Sequence, residues 1–473
     1  MASESHTAVF SDKLDWHHTT IDVFSHFADE PWAMLLDSAD AKHPDSRYDI
    51  IVCDPLATVI TTANQTDITH RQTVMTDNLA APITNQQGIC PFTTLRTALD
   101  HYFPDNKTST LPFSGGAMGA FSYDLGRHIE RFDNIANNDI NLAEMNIGLY
   151  AWALIYDNQQ QQWHLVHYHG AKAFNRTREH IERRLQQARS HKTFNLTRPW
   201  QAQISQTEYR AKFERVQQYL HSGDCYQINL TQRFAAPYQG SEWLAYTKLR
   251  GCNAAPFSAF IKLAEQSVLS ISPERFIQLQ GSKIQTKPIK GTRPRFTDPQ
   301  QDSAAANDLR NAEKDRAENL MIVDLLRNDI GKVAAPGSVA VPKLFDVESF
   351  PAVHHLVSTV TAQLADNIDA SQLLRACFPG GSITGAPKIR AMQIIEELEP
   401  SRRSLYCGSI GYISQDGNMD TSITIRTLVA DQGNLYCWAG GGIVADSDVD
   451  AEYQETYDKV SKILPILAAD TAD

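Results

Sequence analysis

The sequence lacks the features that mark several large classes of protein. No stretch approaches the ~18 consecutive apolar residues of a transmembrane helix. The longest apolar segment, residues 148–157, has the length of one buried strand. The first residues show no basic start followed by an apolar block, so we expect no secretory signal. Internal repeats with a period of roughly 20–50 residues are also absent. We therefore expect no membrane partner.

Closely spaced cysteines are missing too. The seven cysteines stand far apart and form no CxxC pair. Zinc ribbons and disulfide frameworks need paired or clustered cysteines, so the pattern argues against both. Reduced thiols in a cytoplasmic protein are the simplest explanation of an odd, scattered set.

Positive charge is in short supply. The 43 lysines and arginines are outnumbered by 55 acidic residues, which gives a formal net charge of −12. This balance disfavours a general role in binding nucleic acid or an anionic membrane. It also repels small anions at long range, so an anionic substrate would have to be held by local positive groups.

The chain changes character between residues 157 and 206, where polar residues dominate. Strand-like segments fill most of the chain before this stretch, and strands alternate irregularly with helices after it. We therefore place a strand-rich region at 1–195 and a second region at 205–468. The pattern predicts an α+β fold of large, mostly antiparallel sheets, packed as a β-sandwich with flanking helices.

Two predicted helices each carry two acidic residues three positions apart. Asp315 and Glu318 lie in a helix predicted over 307–331, and Glu452 and Glu455 lie in a helix near the C-terminus. This spacing puts both carboxylates of a pair on one helix face. Both faces could simply be solvated. If the two pairs face each other, however, the clustered carboxylates need a cation, and ligands that are all oxygen suit magnesium better than zinc.

Two glycine-rich loops and one arginine are candidates for holding an anion. The loop FPGGSITGAPK (378–388) leads into a predicted helix, whose free amides could bind a carboxylate or phosphate; a tight structural turn is the alternative. The loop WAGGGIVADS (438–447) could offer similar amides or form a sheet bulge. Neither matches a nucleotide-binding loop. Arg426, in a strand predicted over 418–430, could bind a carboxylate or lie on a wet sheet face.

Lys290 stands in the segment KPIKGTRPR, residues 287–295. It follows a strand-like alternation and is flanked by the backbone-fixing residues Pro288, Gly291 and Pro294. A lysine held in this way could act as a nucleophile. The more common alternative for any single lysine is a solvated surface charge.

These segments occur together in one known family. The motifs SPERF, PIKGTRPR, KDRAENLMIVDLLRNDIG, FPGGSITGAPK, GSIGYIS, ITIRT and AGGGIVADSD are collinear over about residues 205–465. In this the chain resembles the chorismate-utilising enzymes, which include anthranilate, isochorismate, salicylate and aminodeoxychorismate synthases. The segments LPFSGGAMGAFSYDLGR (111–127) and HSGDCYQINLTQRF (221–234) extend the resemblance towards the N-terminus. It implies the fold of anthranilate synthase component I.

The resemblance also implies a magnesium site and a chorismate site. Glu318 and Glu455 match direct metal ligands of the family, and Asp315 and Glu452 match residues that act through bound water. The positions that bind chorismate in the family correspond here to Arg426, Tyr412, His355, Thr384, Lys388, Gly441 and Gly442. Among these, Arg426 and Tyr412 match residues that hold the enolpyruvyl carboxylate.

Two positions distinguish this chain within the family. Salicylate and isochorismate synthases carry a water-activating lysine where this chain has Gln227, so the resemblance implies no addition of water at ring carbon 2. The slot PIxGT holds alanine in anthranilate synthases and lysine in aminodeoxychorismate synthases, and here it holds Lys290. The implied reaction is amination of chorismate at carbon 4, with Lys290 adding transiently at carbon 2. Glu274, in SPERF, would protonate the departing hydroxide. Because only a neutral amine attacks, we expect a depressed pKa for Lys290.

Partners follow from the same resemblance. Family members that aminate chorismate take ammonia from glutamine through a glutaminase subunit. This chain carries no nucleophile-elbow cysteine motif, so we expect that subunit to be a separate protein. The lyase that eliminates pyruvate is also separate, so the implied product is 4-amino-4-deoxychorismate, a precursor of p-aminobenzoate and folate.

Two further segments resemble the tryptophan site of anthranilate synthases. They are LLDS (35–38) and NAAPFSAF (253–260). The resemblance would make Ser38, Pro256 and Phe257 the wall around a bound tryptophan. A plain hydrophobic core is the alternative, and the acidic residue directly before the serine could alter such a pocket.

Two other functions stay open on the sequence alone. One is the anthranilate synthase reaction, which yields anthranilate and releases pyruvate. The other is a non-catalytic regulatory subunit that binds an aromatic amino acid. The complete set of metal-binding carboxylates and the arginine argue against the second.

Overall fold

Strands make up the framework of the molecule. The computed structural model describes residues 8–41, 43–75, 80–83, 88–349 and 353–468. Within these residues the strands are β1 (Phe10–Leu14), β2 (Met34–Asp37), β3 (Tyr48–Val52), β4 (Ala57–Thr62), β5 (Gln65–His70), β6 (Gly116–Phe121), β7 (Met145–Tyr150), β8 (Trp152–Asp157), β9 (Gln162–His167), β10 (Asn195–Leu196), β11 (Gln201–Ala202), β12 (Gln227–Gln239), β13 (Phe257–Lys262), β14 (Ser267–Ser272), β15 (Arg275–Gln280), β16 (Lys283–Thr286), β17 (Ile289–Pro294), β18 (Ala340–Ser349), β19 (Val353–Gln363), β20 (Gly385–Ala386), β21 (Ser409–Ser414), β22 (Met419–Ile423), β23 (Thr427–Asp431) and β24 (Asn434–Ile443).

Helices cover the outer faces of this framework. The α-helices of the described residues are α1 (Thr20–Ser25), α2 (Pro91–Tyr102), α3 (Ala171–Leu185), α4 (Gln206–His221), α5 (Glu242–Asn253), α6 (Pro299–Asn311), α7 (Glu313–Gly331), α8 (Ala370–Cys377), α9 (Lys388–Leu398), α10 (Val449–Val460) and α11 (Leu464–Ala468). Two short 3-10 helices lie at Tyr123–His128 and Gly381–Ile383. In the part of the chain that is described, none of the helices has the length and apolar character that crossing a bilayer requires.

The strands pair into two large antiparallel sheets. The first sheet has 13 strands, with the order β1-β9-β8-β3-β2-β13-β14-β23-β24-β12-β10, and β11 and β20 also pair with β12. The second has 11 strands, with the order β17-β19-β16-β15-β22-β21-β6-β7-β4-β5, and β18 also pairs with β19. Strands from both sides of the polar stretch share each sheet, since β2 pairs with β13 and β6 pairs with β21.

The largest core lies between the two sheets. Apolar side chains of β2, β3 and β13 from one sheet meet those of β6, β7 and β15 from the other. A second core lies on the outer face of the first sheet, under α1, α3, α5 and α11. A third joins α4 and α9 to β12. The predicted α+β fold of antiparallel sheets, packed face to face with flanking helices, is therefore confirmed.

Two segments that we predict as single strands are each two strands in different sheets. Residues 148–157 cross from β7 to β8, and residues 418–430 cross from β22 to β23. At the second crossing Arg426 has a φ of 51°, so it lies at a kink and not within a strand. Because both sheets bury apolar side chains, the strand-like alternation of apolar residues continues across each kink.

The helix predicted over 307–331 is also two elements. Ala312 has extended backbone, with a ψ of 106°, and separates α6 from α7. Helical periodicity runs on through this break because both helices pack against β19 and β17. Because α7 begins at Glu313, Asp315 and Glu318 lie in its first two turns, next to the strand that carries Lys290.

Arg403 is the most deeply buried charged side chain near the carboxyl end of α9. It is 1% exposed, and its guanidinium is paired with Glu399 at 2.7 Å. It also donates to the backbone oxygens of Ile383 and Asn229, at 2.9 and 2.6 Å. One side chain thus ties α9 to β12 and to the loop after α8.

Replacing Arg403 by methionine should therefore destabilise the fold. The change leaves the Glu399 carboxylate buried without its partner, and we expect a loss of about 3–5 kcal/mol in the free energy of unfolding. Urea denaturation measures it. The matched control is Arg327→Met, which breaks an exposed ion pair with Asp324 and should cost no more than about 1 kcal/mol. Equal losses in the two variants would contradict the role assigned to Arg403.

Candidate active site

Lys290 owes its direction to the glycine that follows it. The pairing of β17 with β19 shifts register between Lys290 and Thr292, and Gly291 at this bulge has a φ of 72°. A Cβ atom on Gly291 would lie 2.8 Å from the side chain of Asp315. Only glycine both adopts this backbone conformation and lets α7 approach so closely.

The Lys290 amine is buried among oxygen atoms. Its Nζ lies 2.9 Å from Oε1 of Glu318 and donates to the backbone oxygen of Ser382 at 3.1 Å. The side chain is 13% exposed. Lys290 is therefore not a solvated surface lysine.

The surroundings of Lys290 favour the charged amine. Burial alone would lower its pKa, but the nearby carboxylates of Glu318, Glu274 and Glu455 outweigh burial and raise the pKa above the ordinary value. Our expectation of a depressed pKa for Lys290 is thus wrong when only the protein's own side chains act on the amine. The sequence placed a lysine near acidic residues but could not show that three of them surround it.

Glu274 is suited to giving up a proton near neutral pH. The side chain is 6% exposed, and its Oε1 accepts a hydrogen bond from the Ser382 hydroxyl at 3.2 Å. Burial raises the pKa of Glu274 to about 7, against the opposing effect of the positive Lys290. A carboxyl group with such a pKa can act as a general acid in this range.

Three of the four paired carboxylates meet at consecutive glycines of β24. A Cβ atom on Gly441 would lie 2.9 Å from Oε2 of Glu452 and 3.2 Å from Oε1 of Glu455. A Cβ atom on Gly442 would lie 2.0 Å from Nε2 of Gln227 and 3.1 Å from Oε1 of Glu318. The glycines thus leave room for carboxylates from α7 and α10 to converge, as the sequence predicts if the pairs face each other.

The carboxylates have the character of a site for a hard cation. Oε2 of Glu452 is buried without a hydrogen-bond partner, and burial raises the pKa of this residue. At present lysines balance the charge: Lys459 pairs with Glu455 at 2.6 Å, and Lys290 pairs with Glu318. Three or more donor side chains do not come within metal-binding distance of one another anywhere in the described ranges. All the donors are oxygen atoms and so fit magnesium by type, while the side chains themselves are not gathered into a coordination shell.

Asp315 lies at the edge of this group. It faces Gly291, and its Oδ2 lies 3.2 Å from Nη2 of Arg293. Gln227 is closer to the centre, because its Nε2 donates to Oε1 of Glu318 at 3.1 Å while its Oε1 is buried without a partner.

Arg426 is a shielded cation whose guanidinium pairs with no carboxylate among the described residues. Burial lowers its pKa, which reflects the missing counter-charge. His355 lies nearby, with Nδ1 2.9 Å from the Thr292 hydroxyl, and burial together with the charge of Arg426 lowers its pKa to about 4. A neutral histidine beside an arginine without a counter-ion favours an anionic ligand at this point.

Thr384 is fully buried and its hydroxyl serves the loop itself. It donates to the backbone oxygen of Gly380 at 3.2 Å. The loop that we consider as an anion site is therefore held in part by its own side chain, as expected of a tight structural turn.

Two residues of the predicted site lie elsewhere. Lys388 is paired with Asp329 at 2.5 Å and donates to the backbone oxygen of Cys377. Asp329 follows Glu318 by about three turns of α7, or roughly 16 Å along its axis. Lys388 lines a separate cleft between α7, α8 and α9. Tyr412 faces the space between the sheets, where it contacts Phe113.

That space is a cavity containing part of the predicted tryptophan wall. Pro256, Phe257 and Tyr412 line it, with Asp45 and Asp420 at a polar side. Ser38 is not among the lining residues, because its hydroxyl donates to Asp49 at 2.6 Å. The acidic residue before it, Asp37, borders the cavity and is held by Arg250 and Tyr246.

The sequence reasoning missed two residues of the cluster. Ser382 lies inside the quoted glycine-rich loop, but nothing in the pattern singles it out from its neighbours. Lys459 follows Glu455 by one helical turn, and that spacing was a usable signal of a contact. Its Nζ also donates to the backbone oxygen of Gly440 at 2.7 Å.

Comparisons with known proteins agree on one family. The family model described as chorismate binding enzyme matches residues 33–465. The chain is 57% identical over 436 residues to aminodeoxychorismate synthase component 1 of Salmonella typhimurium, covering 92% of each chain. It is 54% identical to the protein of that name from Escherichia coli, covering 93% of this chain and 94% of the relative.

A solved structure supports the fold. Anthranilate synthase component I from Streptococcus pneumoniae superposes with a TM-score of 0.75 at 29% identity, over 89% of this chain and 93% of that one. The fold that the sequence resemblance implies is therefore confirmed.

Replacing Glu318 by glutamine should lower the pKa of Lys290. Glu318 is the strongest of the groups that raise it, and burial, which lowers it, remains. The amine should therefore become reactive at lower pH, which acylation of Lys290 with an amine reagent, followed by peptide mass spectrometry across pH, would show. The control is Asp324→Asn, on the exposed face of α7. An unchanged acylation profile in Glu318→Gln would contradict the pairing.

Proposed function

This chain belongs to the family of chorismate binding enzymes, and on that premise we propose that it aminates chorismate as component 1 of an aminodeoxychorismate synthase. The product is 4-amino-4-deoxychorismate, which leads to p-aminobenzoate and folate. The observation that carries the proposal is the buried Lys290 amine, held between Glu318 and Ser382 and close to Glu274. A second component supplies ammonia, and we propose that it is a separate glutaminase.

The charged groups of the site suit a dianion. Arg426, a cation without a counter-ion among the described residues, would hold the enolpyruvyl carboxylate, with His355 beside it. Glu318 and Glu455 would hold magnesium, with Asp315 and Glu452 around it. When bound, this ion would supply the positive charge that holds the ring carboxylate and offsets the carboxylates facing Lys290.

The first chemical step joins Lys290 to the ring. The lone pair of the neutral amine forms a bond to carbon 2, the two conjugated ring double bonds each shift by one bond towards carbon 4, and the bond from carbon 4 to its hydroxyl breaks. Glu274 gives its proton to the departing oxygen, which leaves as water. The new ammonium at carbon 2 then loses one proton.

The second step releases the lysine. The lone pair of ammonia forms a bond to carbon 4, both ring double bonds shift back, and the bond between carbon 2 and Lys290 breaks. The leaving amine takes up one proton, and the ammonium formed at carbon 4 loses one. The enolpyruvyl group is untouched, and in this respect the product differs from anthranilate.

The protonation states needed for attack cost no net proton. An ammonium on Lys290 beside an ionised Glu274 holds the same number of protons as a neutral amine beside a protonated Glu274. Glu274 has a pKa of about 7, so its protonated form is within reach at neutral pH. The raised pKa of Lys290 therefore does not bar the mechanism.

Replacing Lys290 by alanine should abolish the covalent intermediate. After incubation with chorismate and rapid quenching, intact-mass measurement should show an adduct of the unmodified protein and none of Lys290→Ala. Formation of aminodeoxychorismate from chorismate and ammonium salt should fall markedly, because the carbon-2 route is lost. The control is Lys283→Ala, an exposed lysine in β16, which should keep both adduct and turnover.

Two outcomes would count against the assignment. Unchanged turnover in Lys290→Ala would remove the lysine from the mechanism. Anthranilate and pyruvate as products of the unmodified protein would assign the anthranilate synthase reaction instead, and failure to consume chorismate would favour a regulatory subunit.

Magnesium should stabilise the fold through the acidic pairs. A ligand at about 100 times its Kd adds about 2.7 kcal/mol to the free energy of unfolding. We expect urea unfolding to show such a shift for the unmodified protein with magnesium chloride, relative to sodium chloride of equal ionic strength. Glu318→Gln and Glu455→Gln should lose it, while Asp450→Asn, an exposed residue of α10, should keep it. A full shift in both glutamine variants would place magnesium elsewhere.

We also propose that the cavity between the sheets takes an aromatic amino acid. Pro256 and Phe257 offer an apolar wall, and Asp45 and Asp420, which are both paired with Arg275, form its polar side. Tyr412 lines this cavity and would contact this ligand. Tryptophan is the amino acid that the resemblance suggests.

A further inference from the structure

Ser382 contacts both groups that the chemistry requires. Its backbone oxygen accepts a hydrogen bond from Nζ of Lys290 at 3.1 Å, and its hydroxyl donates to Oε1 of Glu274 at 3.2 Å. The residue is 8% exposed. A single residue thus lies between the amine on β17 and the carboxyl group that precedes β15.

The loop around Ser382 is held firmly from several sides. A Cβ atom on Gly380 would lie 2.8 Å from Cδ1 of Ile423, and one on Gly381 would collide with Leu325. On the other side of the turn, Arg403 donates to the backbone oxygen of Ile383 at 2.9 Å. The two glycines let the loop fit between β22 and α7, and the arginine fixes its far end, so Ser382 has little freedom to move.

We propose that Ser382 is a positioning residue, which sets the placement of the Lys290 amine and the Glu274 proton donor relative to each other. The inference rests on the proposed amination of chorismate and adds a role for a residue outside the predicted site. Ser382 acts through the two catalytic groups, with its backbone oxygen on one and its hydroxyl on the other.

The backbone contact orients the nucleophile. A neutral amine has two N–H groups and one lone pair. Oε1 of Glu318 and the oxygen of Ser382 are placed to accept both N–H groups. The lone pair then points away from both acceptors, which is the direction available for attack on the ring.

The hydroxyl contact orients the acid. Because the Ser382 hydroxyl donates to Oε1 of Glu274, the acidic proton is carried by the other oxygen, Oε2. Other groups act on the same carboxyl. The ammonium groups of Lys290 and Lys459 and the backbone N–H of Ile289 favour its ionised form, and burial favours the protonated form. The serine hydroxyl also favours the ionised form, and it is the one contact that a substitution removes without changing charge.

The test compares Ser382→Ala with Ser382→Thr, which keeps the hydroxyl. A hydrogen bond to an ionisable group is worth roughly one factor of ten or more. We therefore expect Ser382→Ala to lower kcat with ammonium salt about tenfold, with little change in KM for chorismate. The alkaline limb of its plot of kcat against pH should move to higher pH by about one unit, because loss of the hydroxyl favours protonated Glu274. Ser382→Thr should restore kcat and the alkaline limb.

Testing Ser382→Ala in a second variant, Glu274→Gln, separates a positioning role of Ser382 from a purely structural one. The Glu274→Gln variant lacks the proton donor on which the Ser382 hydroxyl acts. Adding Ser382→Ala to this variant should therefore lower kcat by less than a further factor of two. Urea unfolding and equilibrium chorismate binding of each variant provide the check on folding.

Three results would overturn the inference. They are an equal loss of kcat in both backgrounds, an alkaline limb that does not move in Ser382→Ala, and no recovery in Ser382→Thr. If the unmodified protein forms aminodeoxychorismate and any of these occurs, the inference alone fails. If it forms none, the proposed function fails first and the inference falls with it.

Discussion

The structure depends on placing charges of both signs together where water is scarce. Lys290 and Glu318 form the central pair, since each offsets the cost of burying the other. Burial raises the pKa of Glu274 to about 7, and the carboxylates around Lys290 raise that of the amine. A site assembled this way responds to every added or removed charge. Any ligand that brings a cation among the carboxylates would therefore change the proton balance at the amine.

Glycines allow these charges to approach one another. Gly291 lets α7 lie against β17, and Gly441 and Gly442 let the carboxylates of α7 and α10 meet at β24. In the glycine-rich loop of residues 378–388, the same lack of a side chain at Gly380 and Gly381 brings Ser382 between Lys290 and Glu274. The backbone itself thus forms part of the site, and this explains why several of the family motifs are rich in glycine.

Much of the site could be predicted from the sequence because motif order and local spacing survive folding. Lys290, Glu274 and three of the four paired carboxylates do come together, and Asp315 lies at the edge of the group. What the pattern could not show is where the chain leaves one sheet for the other, since apolar alternation continues across each crossing. The continued alternation gave no sign of the kink at Arg426. Nor could the sequence show that the strand of Tyr412 turns this side chain towards the cavity between the sheets. The pattern also does not show that the long side chain of Lys388 turns to Asp329, far along α7.

The same limit explains the error about the Lys290 amine. Chemistry that needs a neutral lysine suggests a depressed pKa, but the sequence does not reveal how many carboxylates lie around the amine. In the structure they prevail over burial. A neutral lysine can still arise there, because one proton passed from Lys290 towards Glu274 creates both the nucleophile and the acid. A fully apolar pocket would give the neutral amine but no partner to protonate the leaving hydroxide. The acidic surroundings that oppose deprotonation therefore also supply the second half of the reaction.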